Sequence, residues 1–442
     1  MRPPAILLRR LVPVLVALAA CAGCGRVDPR WSRPGVVRRR PRPEEHLSHE
    51  IEDLRAALEK DQNSSETHLR LATQYLQHDY LREASEQFHA ALEADPQNMN
   101  ALLGFWQVQA RLNDTADLFE MAQRMEQINP QDPNAEAALR EAARAFDDAL
   151  LTRPQDPWIL INAAFCQAKM KHWAQAEEYT RRAAAAVPNA LTPWLMLGTL
   201  YLDQGLIARA DDQFSRLAAQ QPDNALVHEA LGRTRQVQAR LQDALTEFNL
   251  AQRLRPNWEV PYLDSGDLSI QIGQCGNAEQ FYRKAQEITP RSLRAGLGVV
   301  QALACQEKFD RAIAACKLLQ DDFPDNPEVI NNLAYLYAET GQNLDQALDL
   351  ANRLLNQFAA NSVIQDTAGW VLYRRGQYAD ALVHLQLARQ LAPANSGIQY
   401  HLGKVLLALG RRAEASDAFR MALNGGLPAR EAAEARKVAG NL

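Results

Sequence analysis

The stretch Leu191–Asn224, LTPWLMLGTLYLDQGLIARADDQFSRLAAQQPDN, decides the fold. Leu197 and Tyr201 within it lie four residues apart, as on one face of a helix. Gly205 follows, where a helix commonly ends in the left-handed conformation that glycine tolerates. A second helical pattern comes next, and Pro222 ends it because proline cannot continue a helix interior. The stretch therefore predicts a helix, a short turn and a second helix.

Prolines return at a constant interval along most of the chain. The interval is 34 residues, and it relates Pro154, Pro188, Pro222, Pro256, Pro290 and Pro324. The same interval separates Pro96 from Pro130, and it reaches Pro393 if Ala359 stands in for one missing proline. A period in this range is typical of a stacked array of helical repeats. Counted by this period, about ten units lie between Ser65 and Ala429.

The unit resembles the tetratricopeptide repeat. That family has eight signature positions, W, L, G, Y, A, F, A and P, which here read Trp194, Leu197, Gly198, Tyr201, Ala210, Phe214, Leu217 and Pro222. The resemblance implies an all-α solenoid of helix-turn-helix repeats that forms a right-handed superhelix. Gly198 and Gly232 are expected where paired helices approach closely. The match is highly specific for the fold and weakly specific for function.

Three irregularities interrupt the predicted array. The interval from Pro130 to Pro154 is shorter than one repeat, so Asn134 to Leu151 is predicted to be one long helix, where a bend is expected. One extra residue occurs near Asn343, and the end of the chain is expected to form a helix that covers the last exposed face. The predicted segments are a signal peptide (1–20), a basic tether (21–45), a helix with two repeats (46–132), a single irregular helix (133–156), eight repeats (157–427) and a capping helix (428–442).

The N-terminal sequence indicates export. Three arginines precede the apolar run Leu11–Ala20, which is too short to span a bilayer but suits the core of a signal peptide. Leu18-Ala19-Ala20-Cys21 then resembles the bacterial lipobox, which implies that Cys21 carries a lipid and becomes the new N-terminus. Cys24 is a second candidate, and an ordinary cleaved signal or a membrane anchor is the alternative. Ala22, rather than aspartate, implies the outer membrane if sorting is similar to that of enterobacteria.

A basic segment follows the lipobox. Residues 25–43 contain seven arginines and four prolines, a composition that cannot bury a core and predicts an extended or disordered tether. It is either a solvated linker with basic charge beside the membrane or a contact for anionic lipid or polysaccharide. Removing residues 1–20 moves the net charge from −5 to −8. The acidic body has no basic stripe, so nucleic acid is not expected as a partner.

Sequence motifs for catalysis and cofactor binding are incomplete. Cys21-Ala22-Gly23-Cys24 lies at the cleavage site and lacks the second pair that zinc requires. Gly296-Leu297-Gly298 starts like a dinucleotide loop but no third glycine follows, and Val405 stands where a phosphate loop needs Ser or Thr. We therefore expect no cofactor, no metal and no catalytic residue, and an enzyme hidden in the array is the least favoured reading.

Four cysteines lie in the repeats. Cys275 is expected in a turn and Cys305 at the end of the next unit's first helix, so stacking brings them near each other. A disulfide between them requires Cα atoms within roughly 7 Å and an oxidising compartment. Cys316 occupies the position that Phe214 fills in its own unit, and Cys166 lies within a helix. Both are expected to be small buried apolar residues.

Partner-binding residues are expected on the first helix of each unit. The resemblance places positions two, five, six, nine, twelve and thirteen on the concave groove. The lysine and asparagine by which chaperone-binding members clamp a peptide carboxylate are not found at positions five and nine. Aromatic and amide side chains suit peptide or glycan contact, and they equally suit packing between helices. The candidate groove residues are Asn331, Asn332, Tyr335, Asp366, Trp370, Tyr373, Arg374, Tyr400 and Lys404, with a smaller set of Trp158, Asn162 and Phe165.

These features predict a non-catalytic scaffold of the bacterial cell envelope. It would be an outer-membrane lipoprotein facing the periplasm, holding one or more envelope proteins or their peptides in its groove. The runs Asn331–Tyr335 and Asp366–Trp370 resemble exported bacterial repeat proteins linked to polysaccharide secretion. Polysaccharide export is therefore the preferred process, followed by pilus and then secretion-channel assembly. The alternative is an adaptor that regulates an envelope hydrolase or protease.

Overall fold

The computed structural model describes residues 49–112, 115–129, 133–427 and 429–439. Within these ranges the chain is helical and has no strand. The helices are α1 His49–Lys60, α2 Ser65–Gln77, α3 Leu81–Ala94, α4 Met99–Leu112, α5 Thr115–Ile128, α6 Pro133–Thr152, α7 Pro157–Lys169, α8 Trp173–Ala186, α9 Leu191–Asp203, α10 Ile207–Gln220, α11 Ala225–Val237, α12 Leu241–Leu254, α13 Val260–Gln271, α14 Cys275–Ile288, α15 Leu293–Cys305, α16 Phe309–Asp322, α17 Pro327–Thr340, α18 Leu344–Phe358, α19 Ser362–Arg374, α20 Tyr378–Leu391, α21 Ser396–Ala408, α22 Arg412–Asn424 and α23 Ala429–Ala439.

Most of the described helices form helix-turn-helix pairs. The pairs are α2–α3, α4–α5, α7–α8, α9–α10, α11–α12, α13–α14, α15–α16, α17–α18, α19–α20 and α21–α22. Their number confirms the about ten units predicted from the proline period. Within the described ranges, the helices α1, α6 and α23 are not part of such a pair.

Two glycines allow the close packing and the tight turn of the pair α9–α10. In α9, a Cβ added to Gly198 would lie 2.5 Å from the ring of Phe214 on α10, so only glycine allows this close approach. In the turn, Gly205 has a φ of 72°, the left-handed region that glycine adopts without strain. Ala239 takes a φ of 60° in the corresponding turn after α11. A side chain in this conformation costs about 1 kcal/mol.

Asparagine side chains begin three consecutive first helices near the end of the array. Asn326, Asn361 and Asn395 precede α17, α19 and α21, and each accepts hydrogen bonds from two backbone amides of the first turn. Such caps satisfy amide groups that have no partner within the helix. They place the start of each helix at the same point of its repeat, so equivalent positions of α17, α19 and α21 come into line.

The irregular segments have clear structures. The helix predicted between Asn134 and Leu151 is observed as α6, which has 20 residues and packs against both α5 and α7. The extra residue near Asn343 is accommodated where Asn343 itself adopts a left-handed φ of 47° before α18. No helix in the described ranges has both the length and the apolar character needed to cross a bilayer.

The helices group into two compact units. Unit 1 comprises the described residues up to Asp223 with Val237–Ala239, and unit 2 comprises Asn224–Gln236 with the described residues from Arg240 onward. The bend expected at the irregular segment 133–156 stays a prediction. Within unit 1, α6 contacts the helices on both sides, α5 and α7.

Candidate partner-binding face

The side of the first helices that carries the groove positions is called here the first-helix face. In unit 2 it is formed by α11, α13, α15, α17, α19 and α21, with α23 after the last pair. Successive first helices touch directly, as in the contacts of α13 with α15, α17 with α19, and α19 with α21. Side chains from repeats that are distant in sequence therefore become neighbours on this face.

Aromatic rings from three first helices form one stack, called here the aromatic cluster. It consists of Tyr335 on α17, Trp370 and Tyr373 on α19, and Tyr400 and His401 on α21. The ring of Trp370 lies 4.3 Å from that of His401 and 4.9 Å from that of Tyr373, measured between centroids. The ring of Tyr335 lies 6.2 Å from that of His401. His401, which the sequence analysis did not single out, is therefore the centre of the cluster.

Hydrogen bonds hold the aromatic cluster in place. Trp370 Nε1 donates to Glu339 Oε1 at 2.7 Å, and Arg374 Nη1 donates to the backbone oxygen of Glu339 at 2.8 Å. His401 Nδ1 and Asp366 Oδ1 are 2.9 Å apart. Burial alone would lower the pKa of His401, but Asp366 outweighs it and raises that pKa. The imidazolium form is therefore favoured between the Trp370 ring and the Asp366 carboxylate.

The C-terminal helix α23 completes this part of the face. Tyr400 Oη donates to Glu434 Oε2 at 2.5 Å, and Lys404 Nζ forms an ion pair with the other oxygen of the same carboxylate. Burial and the adjacent Glu434 raise the pKa of Tyr400 well above its ordinary value. For Glu434, burial opposes ionisation, but Lys404 and Tyr400 outweigh it and lower the pKa. The Glu434 carboxylate therefore interacts with two donors on α21, Tyr400 and Lys404.

The structure corrects the accessibility expected for three of the nine predicted groove residues. The side chains of Trp370 and Tyr400 are each only 5% exposed, because neighbouring rings and α23 cover them. Asn331 is also buried, at 8% exposed. The predicted residues that remain partly exposed are Asn332, Tyr335, Asp366, Tyr373, Arg374 and Lys404. Any contact with a partner on the present surface falls to this second group.

A second group on the same face, called here the charged cluster, was missed by the sequence analysis. It consists of Glu229 and Arg233 on α11, Asp264 and Asp267 on α13, and Arg294 on α15. Arg233 Nε donates to Asp264 Oδ2 at 2.8 Å. Arg294 Nη2 donates to Asp264 Oδ1 at 2.9 Å and to Asp267 Oδ2 at 2.7 Å. Asp264 is thus shared by two guanidinium groups from neighbouring repeats.

Burial makes the charged cluster electrostatically unusual. Glu229 is 1% exposed and lies against Arg233, which is 7% exposed. Burial raises the pKa of Glu229 well above its ordinary value, and the nearby Asp264 charge adds to this. Burial opposes ionisation of Asp264 as well, but Arg233 and Arg294 outweigh it and lower its pKa. Buried charges that share partners in this way depend strongly on each of them.

A sequence signal for the charged cluster exists. Glu229 and Arg233 occupy positions five and nine of the unit that begins at Ala225, the positions that face the groove in this kind of repeat. The pairing of Asp264 with Arg294, 30 residues later, depends on how neighbouring units align.

The smaller predicted set lies in unit 1. Trp158 is 40% exposed, and its ring packs edge-on against Phe146 with centroids 5.8 Å apart. Asn162 Nδ2 donates to the backbone oxygen of Trp158 on the same helix. Phe165 is 5% exposed, and Lys169 Nζ lies 5.3 Å from its ring. Only Trp158 of the three presents a large apolar surface, so the set is a weaker candidate than the face of unit 2.

Of the four cysteines in the described ranges, two form a disulfide and two are free and buried. Cys275 and Cys305 form a disulfide with Cα atoms 5.8 Å apart, and Cys275 is the first residue of α14 rather than part of a turn. Cys166 and Cys316 are free and fully buried. The lipidation candidate Cys21 lies outside the described residues. Across the described ranges, no group of His, Cys, Asp or Glu side chains is arranged to hold a metal ion.

Stacked helix pairs with a polar and aromatic first-helix face define a helical-repeat protein of the binding class. Two segments of the chain, residues 195–257 and 372–435, match models of the tetratricopeptide repeat. The chain therefore contains tetratricopeptide repeats. Repeats of this kind generally bind partner proteins or peptides, so the chain is a protein-interaction scaffold.

Curated relatives are similar over parts of their length. Anaphase-promoting complex subunit CDC16 of Saccharomyces cerevisiae is 21% identical over 49% of this chain and 26% of the relative. Anaphase-promoting complex subunit 3 of Schizosaccharomyces pombe is 20% identical over 66% of this chain and 44% of the relative. TPR repeat-containing protein PA4667 of Pseudomonas aeruginosa is 24% identical over 47% of this chain and 35% of the relative. The chain spans less than half the length of each of these relatives.

Solved structures show distant similarity. A tetratricopeptide repeat protein from Parabacteroides merdae has a TM-score of 0.46 at 18% identity, covering 57% of this chain and 98% of its own. The APC/C hetero-tetramer Cut9–Hcn1 also has a TM-score of 0.46, at 13% identity, covering 88% of this chain and 81% of that chain.

Proposed function

We propose that this protein is a non-catalytic scaffold of the bacterial cell envelope that binds partner proteins or their peptides on the first-helix face of unit 2. A lipid at Cys21 would tie the array to the outer membrane on its periplasmic side. The preferred role is assistance to polysaccharide export, followed by pilus or secretion-complex assembly.

The observation that carries the proposal is the concentration of polar groups on one face. Core packing is already provided by contacts such as Phe214 against Gly198, which need no charge. The charged cluster and the aromatic cluster instead lie at groove positions of consecutive first helices. Buried ion pairs are often no more stabilising than apolar residues of similar volume. The members that stay partly exposed, such as Arg294, Tyr335 and Tyr373, are the ones that would meet a partner.

Two further features support export. The disulfide between Cys275 and Cys305 suits an oxidising compartment, because thiols are kept reduced in most cytosolic proteins. The basic start, the apolar run Leu11–Ala20 and the lipobox-like Leu18–Cys21 agree with that compartment. The similarity of Asn331–Tyr335 and Asp366–Trp370 to exported repeat proteins motivates the choice of polysaccharide export.

Site-specific crosslinking tests the binding face. A photo-reactive residue at Asn332, which is partly exposed on the first-helix face, is expected to capture a defined partner in intact cells. The matched control places the same residue at Val383, which is 65% exposed on the second helix α20. Mass spectrometry then identifies the captured proteins. An identical set of products from both positions would contradict binding on this face.

Fatty-acid labelling tests the anchor. The wild-type chain is expected to incorporate labelled fatty acid, and Cys21→Ala is expected to lose it, whereas Cys24→Ala retains it. Equal labelling of all three chains would rule out Cys21. Neighbouring genes then distinguish the process: polymer-export genes support the preferred role, pilus genes the second, and an envelope protease the adaptor alternative.

A further inference from the structure

The C-terminal helix α23 covers the end of the array with little apolar surface. It packs against α22, and Ala432 and Ala435 are its buried residues. Leu427 and Val438 are only partly buried against the core beneath. Small side chains contribute little hydrophobic free energy, since the gain follows the apolar area removed from water. Polar contacts must therefore contribute much of what holds α23 in place.

Those polar contacts lie at two points along α23. Near its middle, Glu434 receives the hydrogen bond of Tyr400 and the ion pair of Lys404. At its start, Arg430 forms a 3.7 Å ion pair with Glu307, in the turn after α15. The Arg430–Glu307 pair is exposed to solvent and contributes little, as exposed ion pairs usually do. Glu434 is therefore the principal anchor.

Glu431, one turn before Glu434, is in the opposite situation. Burial raises its pKa, and the nearby positive charges of His401 and Arg430, which lower it, offset this only in part; Glu339 and Asp366 add smaller raising effects. The ionised Glu431 carboxylate is thus unfavourable where it lies. The two acidic side chains of α23 consequently have opposite effects, because Glu434 holds the helix on α21 and Glu431 weakens that association.

We propose that the surface of α21 and α22 beneath α23 is a binding site for a helical segment of a partner protein, and that α23 is its resident, exchangeable occupant. This inference rests on the proposed function as a scaffold. The partner helix presents one carboxylate to Tyr400 and Lys404 and small side chains to the surface that Ala432 and Ala435 cover. At the place of Glu431 it carries an uncharged residue, because burial disfavours a second carboxylate there. Such a helix binds better than α23 itself and replaces it.

Peptides with the sequence of residues 429–439 test the site on the full-length chain. Fluorescence anisotropy measures binding of the wild-type peptide, a Glu434→Gln peptide and a Glu431→Gln peptide. The recipient is a Glu434→Gln chain, whose own α23 is weakened. We expect the Glu434→Gln peptide to bind about tenfold more weakly than the wild-type peptide, since it loses a charge-assisted pair. The Glu431→Gln peptide is expected to bind several-fold more tightly, because it avoids the cost of burying a carboxylate.

Controls separate this site from general charge effects. An Arg436→Gln peptide changes an exposed residue of the same helix and is expected to bind like the wild type. The wild-type chain is expected to bind the wild-type peptide about tenfold more weakly than the Glu434→Gln chain does, because its own helix competes. Adding Lys404→Gln to the recipient is expected to abolish the preference for Glu434. Circular dichroism checks that the recipient chains remain folded.

Two peptide-binding results would contradict the exchange proposal. If the Glu434→Gln and Glu431→Gln peptides bind alike, or if both bind more weakly than the wild-type peptide, the exchange proposal is wrong. A partner that crosslinks at Asn332 while no peptide binds beneath α23 would leave the scaffold function intact and remove only this inference. Peptide binding beneath α23 without any partner crosslinked at Asn332 would leave the site beneath α23 intact and contradict the scaffold function.

Discussion

The imidazole of His401 on α21 and the carboxylate of Asp366 on α19 share a hydrogen bond of 2.9 Å that joins two neighbouring repeats. The same imidazole stacks on Trp370, so one residue connects the polar and aromatic parts of the aromatic cluster. Asp366 outweighs the effect of burial and raises the pKa of His401. The strength of the His401–Asp366 contact between repeats therefore depends on the protonation of His401.

Stability of the last repeats is expected to fall as the pH rises. The folded-state pKa of His401 is raised above its ordinary value of 6.5, so the stabilisation is complete below about pH 6.5 and is lost as the pH rises through the folded-state value. Hydrogen exchange of α21 amides, corrected for intrinsic rates, measures the loss between pH 6 and pH 9. We expect His401→Gln to remove most of the pH dependence.

The control for this prediction is His89→Gln, which changes an exposed histidine of unit 1. It is expected to leave the pH dependence of α21 unchanged. If His401→Gln keeps the wild-type pH dependence, then the facing carboxylate Glu431, whose pKa burial raises, is responsible rather than the imidazolium.

Removal of Asp264 is expected to destabilise unit 2 strongly. Asp264→Ala deprives the buried Arg233 and its neighbour Arg294 of one carboxylate partner each, and such a loss typically costs about 3–5 kcal/mol. Urea unfolding followed by circular dichroism gives the change in unfolding free energy. Glu287→Ala, which breaks an exposed pair with Lys284, is the matched control and is expected to cost at most about 1 kcal/mol. Equal costs for the two variants would mean that the charged cluster does not stabilise the unit.

Gly198→Ala is expected to destabilise the pair α9–α10. The added methyl group would lie 2.5 Å from the ring of Phe214, and overpacking of this kind costs about 1–3 kcal/mol. Gly276→Ala is the control, because a methyl group there meets no atom within 4 Å. Thermal unfolding should show a clear decrease for the first variant and none for the second. Similar behaviour of the two variants would show that Phe214 adjusts without cost.

Reduction of the disulfide is expected to lower the stability of unit 2. The bridge joins residues separated by 30 positions, and a loop of that size is typically worth about 2–4 kcal/mol. Thermal unfolding with and without reductant measures the difference. Cys275→Ser is expected to lose the response to reductant, whereas Cys166→Ala, which changes a free buried thiol, retains it. A wild-type chain that does not respond to reductant would contradict a stabilising role for the bridge.

Much of the fold could be predicted because its determinants are local. The proline period, the turn glycine Gly205 and the contact of Gly198 with Phe214 all lie within one repeat of 34 residues. Helix α6 could also be predicted from local sequence. The interval from Pro130 to Pro154 is shorter than one repeat, which leaves room for a single helix. Each of these features depends on helix geometry and close packing between adjacent segments.

The candidate site could be predicted only in part. Groove positions led to Tyr335, Trp370 and Tyr400, which do lie together. Their accessibility could not be predicted, because it depends on His401 and on Glu434 of α23, which cover two of the rings. The Cys275–Cys305 pair was within reach of sequence reasoning, since both residues lie at the edges of adjacent repeats.

The sequence by itself determined that this chain is an array of about ten helix pairs, because hydrophobic spacing and turn residues act within each repeat. Only the tertiary structure decided which side chains meet across repeats. It paired Asp264 with Arg233 and Arg294, placed His401 between Trp370 and Asp366, and brought Glu434 onto α21. The physical reason is that these contacts depend on the alignment of separate repeats. A small shift between repeats changes every partner while leaving the repeat pattern itself unaltered.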